Sequence, residues 1–207
     1  MAKRSKSSKR WLKEHEQDAF VLRARKEGWR SRAVYKLEEM HQQGALIRPG
    51  MSIVDLGAAP GAWSQYASAL LDGRGQIVAV DLLEMDPLPD VTFIQGDFRE
   101  AAILEALRDV TVDGQVDLVM SDMAPNLSGT PAVDMPRCMY LAELALEFAK
   151  ERLRPGGSFV TKLFQGEGSD AYILEARRCF GSVKVRKPGA SRPRSREVYL
   201  VARNYRL

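Results

Sequence analysis

The residues of this chain best suited to chemistry are acids that follow apolar runs and one lysine inside such a run. The stretch from Ile53 runs apolar to Asp55 and Leu56, then breaks into small residues at Gly57, Pro60 and Gly61. Asp81 closes QIVAVD, Asp97 follows VTFIQG, Asp122 closes VDLVMSD and Lys162 lies inside FVTKLF. Glycine lets a backbone approach a ligand closely because it has no side chain to block it. The Gly-x-x-x-Gly spacing is not the dinucleotide fingerprint, and Pro60 removes a donor that a pyrophosphate would want, which argues against NAD. Asp81 stands where a carboxylate bridges the hydroxyls of a ribose, about 20 residues past the glycine turn. Several acids without a phosphate-binding lysine suit a cationic nucleoside. S-adenosylmethionine, with its sulfonium, ammonium and ribose, fits better than ATP. Singly, each acid reads equally well as a helix cap or turn former; the cofactor reading rests on the set. Trp63 and Met123 read equally as core, with Trp63 also a candidate for lining the pocket.

Alternating patterns position these residues on a sheet covered by helices. The expected strands are 52–56, 76–81, 91–95, 116–122, 157–164, 182–187 and 197–203, and the expected helices 62–72, 99–110, 135–153 and 169–180. The last two strands join without a helix, so the final one is expected to run antiparallel to its neighbour. Residues 8–27 and 31–43 read as helices broken at Gly28. The division is thus a basic helical appendage over 1–48 that binds RNA and one α/β domain over 49–207. Open α/β sheets bind ligands at the carboxyl ends of their strands, so the acids converge on one cleft. Asp122 and Lys162 lie near two such ends. Glu197 begins the antiparallel strand, which brings it to the same rim. Lys36 is not placed by topology and reads, by itself, as a solvated lysine.

Composition narrows the class. The 207 residues carry 45% hydrophobic residues, enough for one ordinary domain, and no apolar run approaches the ~20 residues of a membrane span. A transit peptide is disfavoured by Glu14, Glu16 and Asp18, and the start lacks the apolar stretch of a signal peptide. Cys138 and Cys179 are far apart, and with only His15 and His41 beside them they suggest neither a disulfide framework nor a metal site. A cytoplasmic protein that does not engage a membrane is expected. Charge is uneven: residues 1–48 hold 13 Lys/Arg against 6 Asp/Glu, 184–207 hold 8 against 1, and the middle holds 10 against 20. Basic ends around an acidic centre suit a polyanion outside and another ligand within.

GAAPGAWS, DLLEMDP, QGDF, SDMAPNLSGTPAVD, GGSFVTKLFQGEG and SRPRSREVYLVA together resemble the FtsJ-type ribosomal RNA 2'-O-ribose methyltransferases, over nearly the whole chain. Within that group the chain resembles the bacterial enzymes acting on a large-subunit uridine. The resemblance implies a Rossmann-like methyltransferase fold with a seven-stranded, mostly parallel sheet, an antiparallel last strand and helices on both faces. It implies S-adenosylmethionine as cofactor, 23S rRNA or the large ribosomal subunit as partner, and a monomeric enzyme. Its catalytic set falls on Lys36, Asp122, Lys162 and Glu197, and its cofactor contacts on Gly61, Trp63, Asp81, Asp97 and Asp122, with Gly57 in the same turn. Ala62 stands where the family usually has a second glycine.

Methyl transfer to a hydroxyl needs that hydroxyl aligned and its proton removed as the bond forms. Lys162 either takes the proton as a neutral amine or, charged, stabilises the developing alkoxide. Rival readings are a dehydrogenase, a non-catalytic RNA binder and a base-directed RNA methyltransferase. The glycine spacing opposes the first and the acidic cleft the second. Against the third, Asn126 in DMAPN gives no aromatic face for a flipped base, and the cysteines lie outside that loop.

Overall fold

The computed structural model describes residues 18–110 and 114–206. The part of the expected first helix before residue 18, with its cations, lies outside them. Seven strands, β1 (Ser52–Leu56), β2 (Gln76–Asp81), β3 (Val91–Gln95), β4 (Val116–Ser121), β5 (Leu153–Phe164), β6 (Phe180–Arg186) and β7 (Glu197–Tyr205), form one sheet in the order β3-β2-β1-β4-β5-β7-β6. Pairing is parallel from β3 through β5. β7 is antiparallel to both neighbours, inserted between β5 and β6. The fold is the expected α/β arrangement, with the strand order reversing between β1 and β4, where ligands of open sheets bind.

Helices cover both faces: α1 (Ala19–Glu27), α2 (Val34–Gln42) and α3 (Ala62–Leu71) on one, α4 (Ala101–Val110), α5 (Pro131–Arg152) and α6 (Ser169–Cys179) on the other. Central strands feed both layers by alternation. Ile53, Ile77, Leu118, Met120, Val160 and Tyr199 face the first layer; Val54, Val78, Val119 and Phe159 face the second. α1 starts where Asp18 accepts from the amides of Phe20 and Val21 and stops at Gly28, whose φ of 78° suits glycine. Val34, Leu37 and Met40 of α2 recur at helical spacing and are buried in the sheet's own core. The N-terminal helices are thereby part of the domain. α5 starts at Pro131, earlier than expected, because a proline in the first turn gives up an amide that needs no helical partner. β5 starts at Leu153, but the register with β4 shifts at Arg154-Pro155-Gly156-Gly157, so regular pairing begins at Ser158. Among the described residues no helix is long and apolar enough to cross a membrane.

Candidate active site

The rim of β4, β5 and β7 carries a chain of polar contacts. Lys162 Nζ lies 2.9 Å from Asp122 Oδ1 and donates to the Asp122 carbonyl oxygen at 2.8 Å. The Tyr199 hydroxyl donates to the same Oδ1 at 2.6 Å and accepts from Lys36 Nζ at 2.9 Å. Lys36 reaches Glu197 Oε1 at 2.7 Å, and that oxygen also accepts from Ser191 Oγ. The register explains the meeting. Lys162 pairs directly with Tyr199 across β5 and β7, and Glu197 lies two residues before Tyr199 on the same face. α2 crosses that face and supplies Lys36. Burial alone would raise the Asp122 carboxyl, but Lys162, then Lys36, and the Tyr199 hydroxyl together hold it below the usual range. Burial first, then Asp122 and Glu197, push the Tyr199 phenol well above its usual value, so it stays a donor.

On the other side of Asp122 opens a cavity of about 650 Å³ at the carboxyl ends of β1, β2, β3 and β4. Gly57, Asp81, Asp97 and Asp122 line it, with Asn126 and Tyr140 at one side. Asp81 is fixed by the amides of Ala59 (2.9 Å) and Leu83 (2.8 Å). Asp97 is gripped by the Arg99 guanidinium, which with the Arg99 amide pulls its carboxyl down to about 2. Behind the turn, Asp55 is fully buried. Its Oδ2 accepts from Ser64 Oγ at 2.7 Å and its Oδ1 has no partner. Burial, opposed by the Ser64 hydrogen bond and reinforced by Asp122 and Asp81, pushes Asp55 up to about 7. The lining sets three acids, Asp81, Asp97 and Asp122, against Arg99 and Arg137, an acidic excess that a cationic ligand relieves. Among the described residues no His/Cys/Asp/Glu group could hold a metal ion.

Residues 29–205 match the FtsJ-like methyltransferase family. The chain belongs to that family. Among solved structures it is similar to a Plasmodium falciparum protein assigned provisionally as a ribosomal RNA methyltransferase, at 27% identity and a TM-score of 0.77, over 86% of this chain and 98% of the other. A chain of the fibrillarin/Nop5p complex shares the fold, with 17% identity, a TM-score of 0.61 and 85% of each chain covered.

In this FtsJ-like methyltransferase the structure brings Lys36, Asp122, Lys162 and Glu197 together and puts Gly57, Asp81, Asp97 and Asp122 on the cavity wall. Gly61 and Trp63 do not line the cavity. A Cβ on Gly61 (φ 99°) would stand 2.8 Å from Arg30 Nη1 and from Met85 Sδ, and one on Gly57 would stand 2.8 Å from Met123 Cγ. What passes so close to these glycines is the protein itself. Arg30 crosses the turn and donates to the carbonyls of Pro60, Asp86 and Pro87. The Trp63 side chain is 2% exposed, donates to the Ala33 carbonyl at 2.8 Å and packs on Tyr199. It points beneath the rim because the second residue of α3 faces the N-terminal helices rather than the cleft. Tyr199 escapes the motif reading altogether. The available signal was its alternation with Glu197 on the last expected strand.

Proposed function

We propose that this methyltransferase transfers a methyl group from S-adenosylmethionine to the ribose 2'-hydroxyl of a uridine in large-subunit (23S) ribosomal RNA, on the assembled or assembling 50S subunit, as a monomer in the cytoplasm. The observation that carries the reading is the amine of Lys162, held by Asp122 at the edge of the acidic cavity and backed by Tyr199, Lys36 and Glu197. The RNA assignment draws support from the sequence resemblance, from the similar Plasmodium protein and from the basic ends of the chain.

The cavity fits the cofactor by the chemistry of its walls. Asp81 would take the ribose hydroxyls, Asp97 the base end, and Asp122 with Asp55 behind it would offset the positive charge. When bound, S-adenosylmethionine supplies an electrophilic methyl on a sulfonium. The chain's own residues align the hydroxyl and manage its charge. Charged Lys162 has three N–H donors; Asp122 takes two, leaving one for the substrate oxygen as it becomes an alkoxide. Uncharged, the same nitrogen would take the hydroxyl proton while the O–C bond forms and the S–C bond to the methyl breaks, its electron pair staying on sulfur. Lys36 adds positive charge to the rim and is itself held by Glu197.

Base methylation has one observation in its favour, since Tyr140 shares the cavity wall with Asn126 and offers an aromatic face. Its pyrimidine-carbon form lacks a nucleophile there: Cys138 is buried, Cys179 partly so, and burial pushes both thiols up. Incubating the protein with large subunits from cells that lack it, with labelled cofactor, then digesting the RNA to nucleosides, decides the matter. The expected product is 2'-O-methyluridine; a base-methylated nucleoside contradicts the proposal.

A further inference from the structure

The face of the sheet that carries Tyr199 continues past the network into a basic recess. Gln43 of α2, Ser182, Lys184 and Arg186 of β6 and Arg203 of β7 wall a hollow of about 80 Å³. Its floor is Met40 and Val201. The register pairs Arg186 with Tyr199, Lys184 with Val201 and Ser182 with Arg203, so all stand on the catalytic network's face of the sheet. Every polar wall residue offers a hydrogen-bond donor and none is a carboxylate.

The recess gathers several donors and cations in one hollow. Some cations of the surface sit against acids, as Arg23 does on Glu27, Lys150 on Glu147 and Arg178 on Glu175. Lys184 and Arg186 form no ion pair with any described acid. Arg203 is anchored through Nη1 to the Gly44 carbonyl, and its guanidinium fills the space a Cβ on Gly44 would need. Burial, and after it the neighbouring Arg48, work against its charge. Like charges gathered without a counter-ion destabilise the folded chain, and an anion from outside removes that cost. Size and spacing say which anion. The hollow has room for a phosphate, and residues two apart on a strand stand about 6.8 Å apart, a separation comparable with successive phosphates of a single strand. Arg186 is two strand spacings from Lys162, about 10 Å. Among the described residues no aromatic ring lines the hollow to stack a base.

We propose that this recess is a phosphate-binding site that holds the backbone of the substrate RNA a few nucleotides from the reacting ribose. The inference rests on RNA being the substrate, and it adds a place and a mode of grip. Backbone contacts of this kind position the strand without reading sequence. The track then runs from Lys36 along the seam of α2 and β6, rather than through the β6–β7 loop alone.

The test compares wild type with Lys184→Gln, Arg186→Gln and the double variant, with Arg177→Ala/Arg178→Ala on the opposite face as control. RNA binding is titrated at several salt concentrations, and methyl transfer is followed in parallel. The double variant should raise the RNA KM about tenfold and reduce the magnitude of the salt slope by roughly 1.4, about 0.7 per lost contact. Each single variant should show about half of that slope change. Its kcat at saturating RNA and its cofactor affinity should stay at wild-type values, and the control should change nothing. A folded double variant with wild-type RNA affinity and salt slope overturns the inference. So does competition confined to inorganic phosphate, with RNA binding untouched. A wild-type protein that binds RNA but methylates none overturns the proposed function instead, while the binding titration still decides the recess.

Discussion

Asp122 belongs to two regions built on opposite balances of charge. Toward β5 and β7 it closes a network in which each lysine has a carboxylate within 3 Å and the Tyr199 hydroxyl links the two ion pairs. Toward the cavity, among the described residues, Asp81 is held by backbone amides and Asp55 by Ser64, with no ion pair to either. A network complete in itself fixes the geometry of a reacting amine in advance, which is how preorganised sites gain their effect. A cleft left acidic selects a ligand by charge. Substitutions on the two sides should therefore separate rate from affinity, and substitution of the shared residue should not.

Asp122→Ala breaks both regions and should have the largest effect. It leaves Lys162 without its counter-charge, so stability should fall by about 3 kcal/mol or more, and transfer by more than about 10³-fold with weakened cofactor binding. Denaturation and single-turnover assays measure the two losses. The pH dependence has a defined sign. A carboxyl held below its usual range contributes stability above the unfolded pKa and loses it as pH falls through the folded one. Wild type should show that acid-side loss and the variant should lack its share. Tyr199→Phe keeps the ring on Trp63 but removes the hydroxyl link. We expect kcat to drop about 10- to 100-fold, consistent with 1–3 kcal/mol for a buried hydrogen bond, at unchanged cofactor affinity. A variant that instead weakens cofactor binding would join Tyr199 to the other side.

Asp81→Ala tests the cleft alone. It should raise the apparent cofactor KM about tenfold or more while kcat at saturation stays within about threefold; calorimetry that finds unchanged binding removes Asp81 from the site. The smallest effect on activity is expected of Asp55→Asn. Because the folded carboxyl is pushed up to about 7, its contribution to stability is full below the unfolded pKa, near 4, and is lost as pH rises toward 7. Asparagine keeps an acceptor for Ser64 and should flatten that decline, by a difference of roughly 4 kcal/mol at most. Denaturant melts of both proteins at pH 4.5 and 8 measure it.

How much of this could be read from residue order depends on the range of the forces involved. Strand positions follow from local alternation, and the antiparallel β7 from a connection too short for a crossover helix. The insertion of β7 between β5 and β6 involves pairing across distant segments and leaves no local mark. The acids at the strand ends were legible because topology alone brings such ends together. Lys36 was not, since its place depends on how α2 packs, which Leu37 and Met40 decide through burial rather than through any pattern around the lysine. Tyr199 in EVYLVAR reads as one more core aromatic, and by packing it is one, at 0% exposure. Only the register with Lys162 shows that its hydroxyl is polar currency at the rim. Trp63 misled in the reverse sense: an aromatic beside a glycine turn suggests a pocket wall, and the helix turns it under the rim instead.

The claim on which the rest depends is that the Lys162 amine acts on the reacting hydroxyl and does nothing essential for the cofactor. Lys162→Ala, measured by single-turnover methyl transfer at saturating cofactor and RNA beside a cofactor titration of the same preparation, tests it directly. The expected rate is lower by about 10²–10⁴-fold, the usual worth of a positioned acid or base, with the cofactor dissociation constant within about threefold of wild type. A variant that keeps more than about a tenth of the wild-type rate, or that loses activity only through cofactor binding, contradicts it.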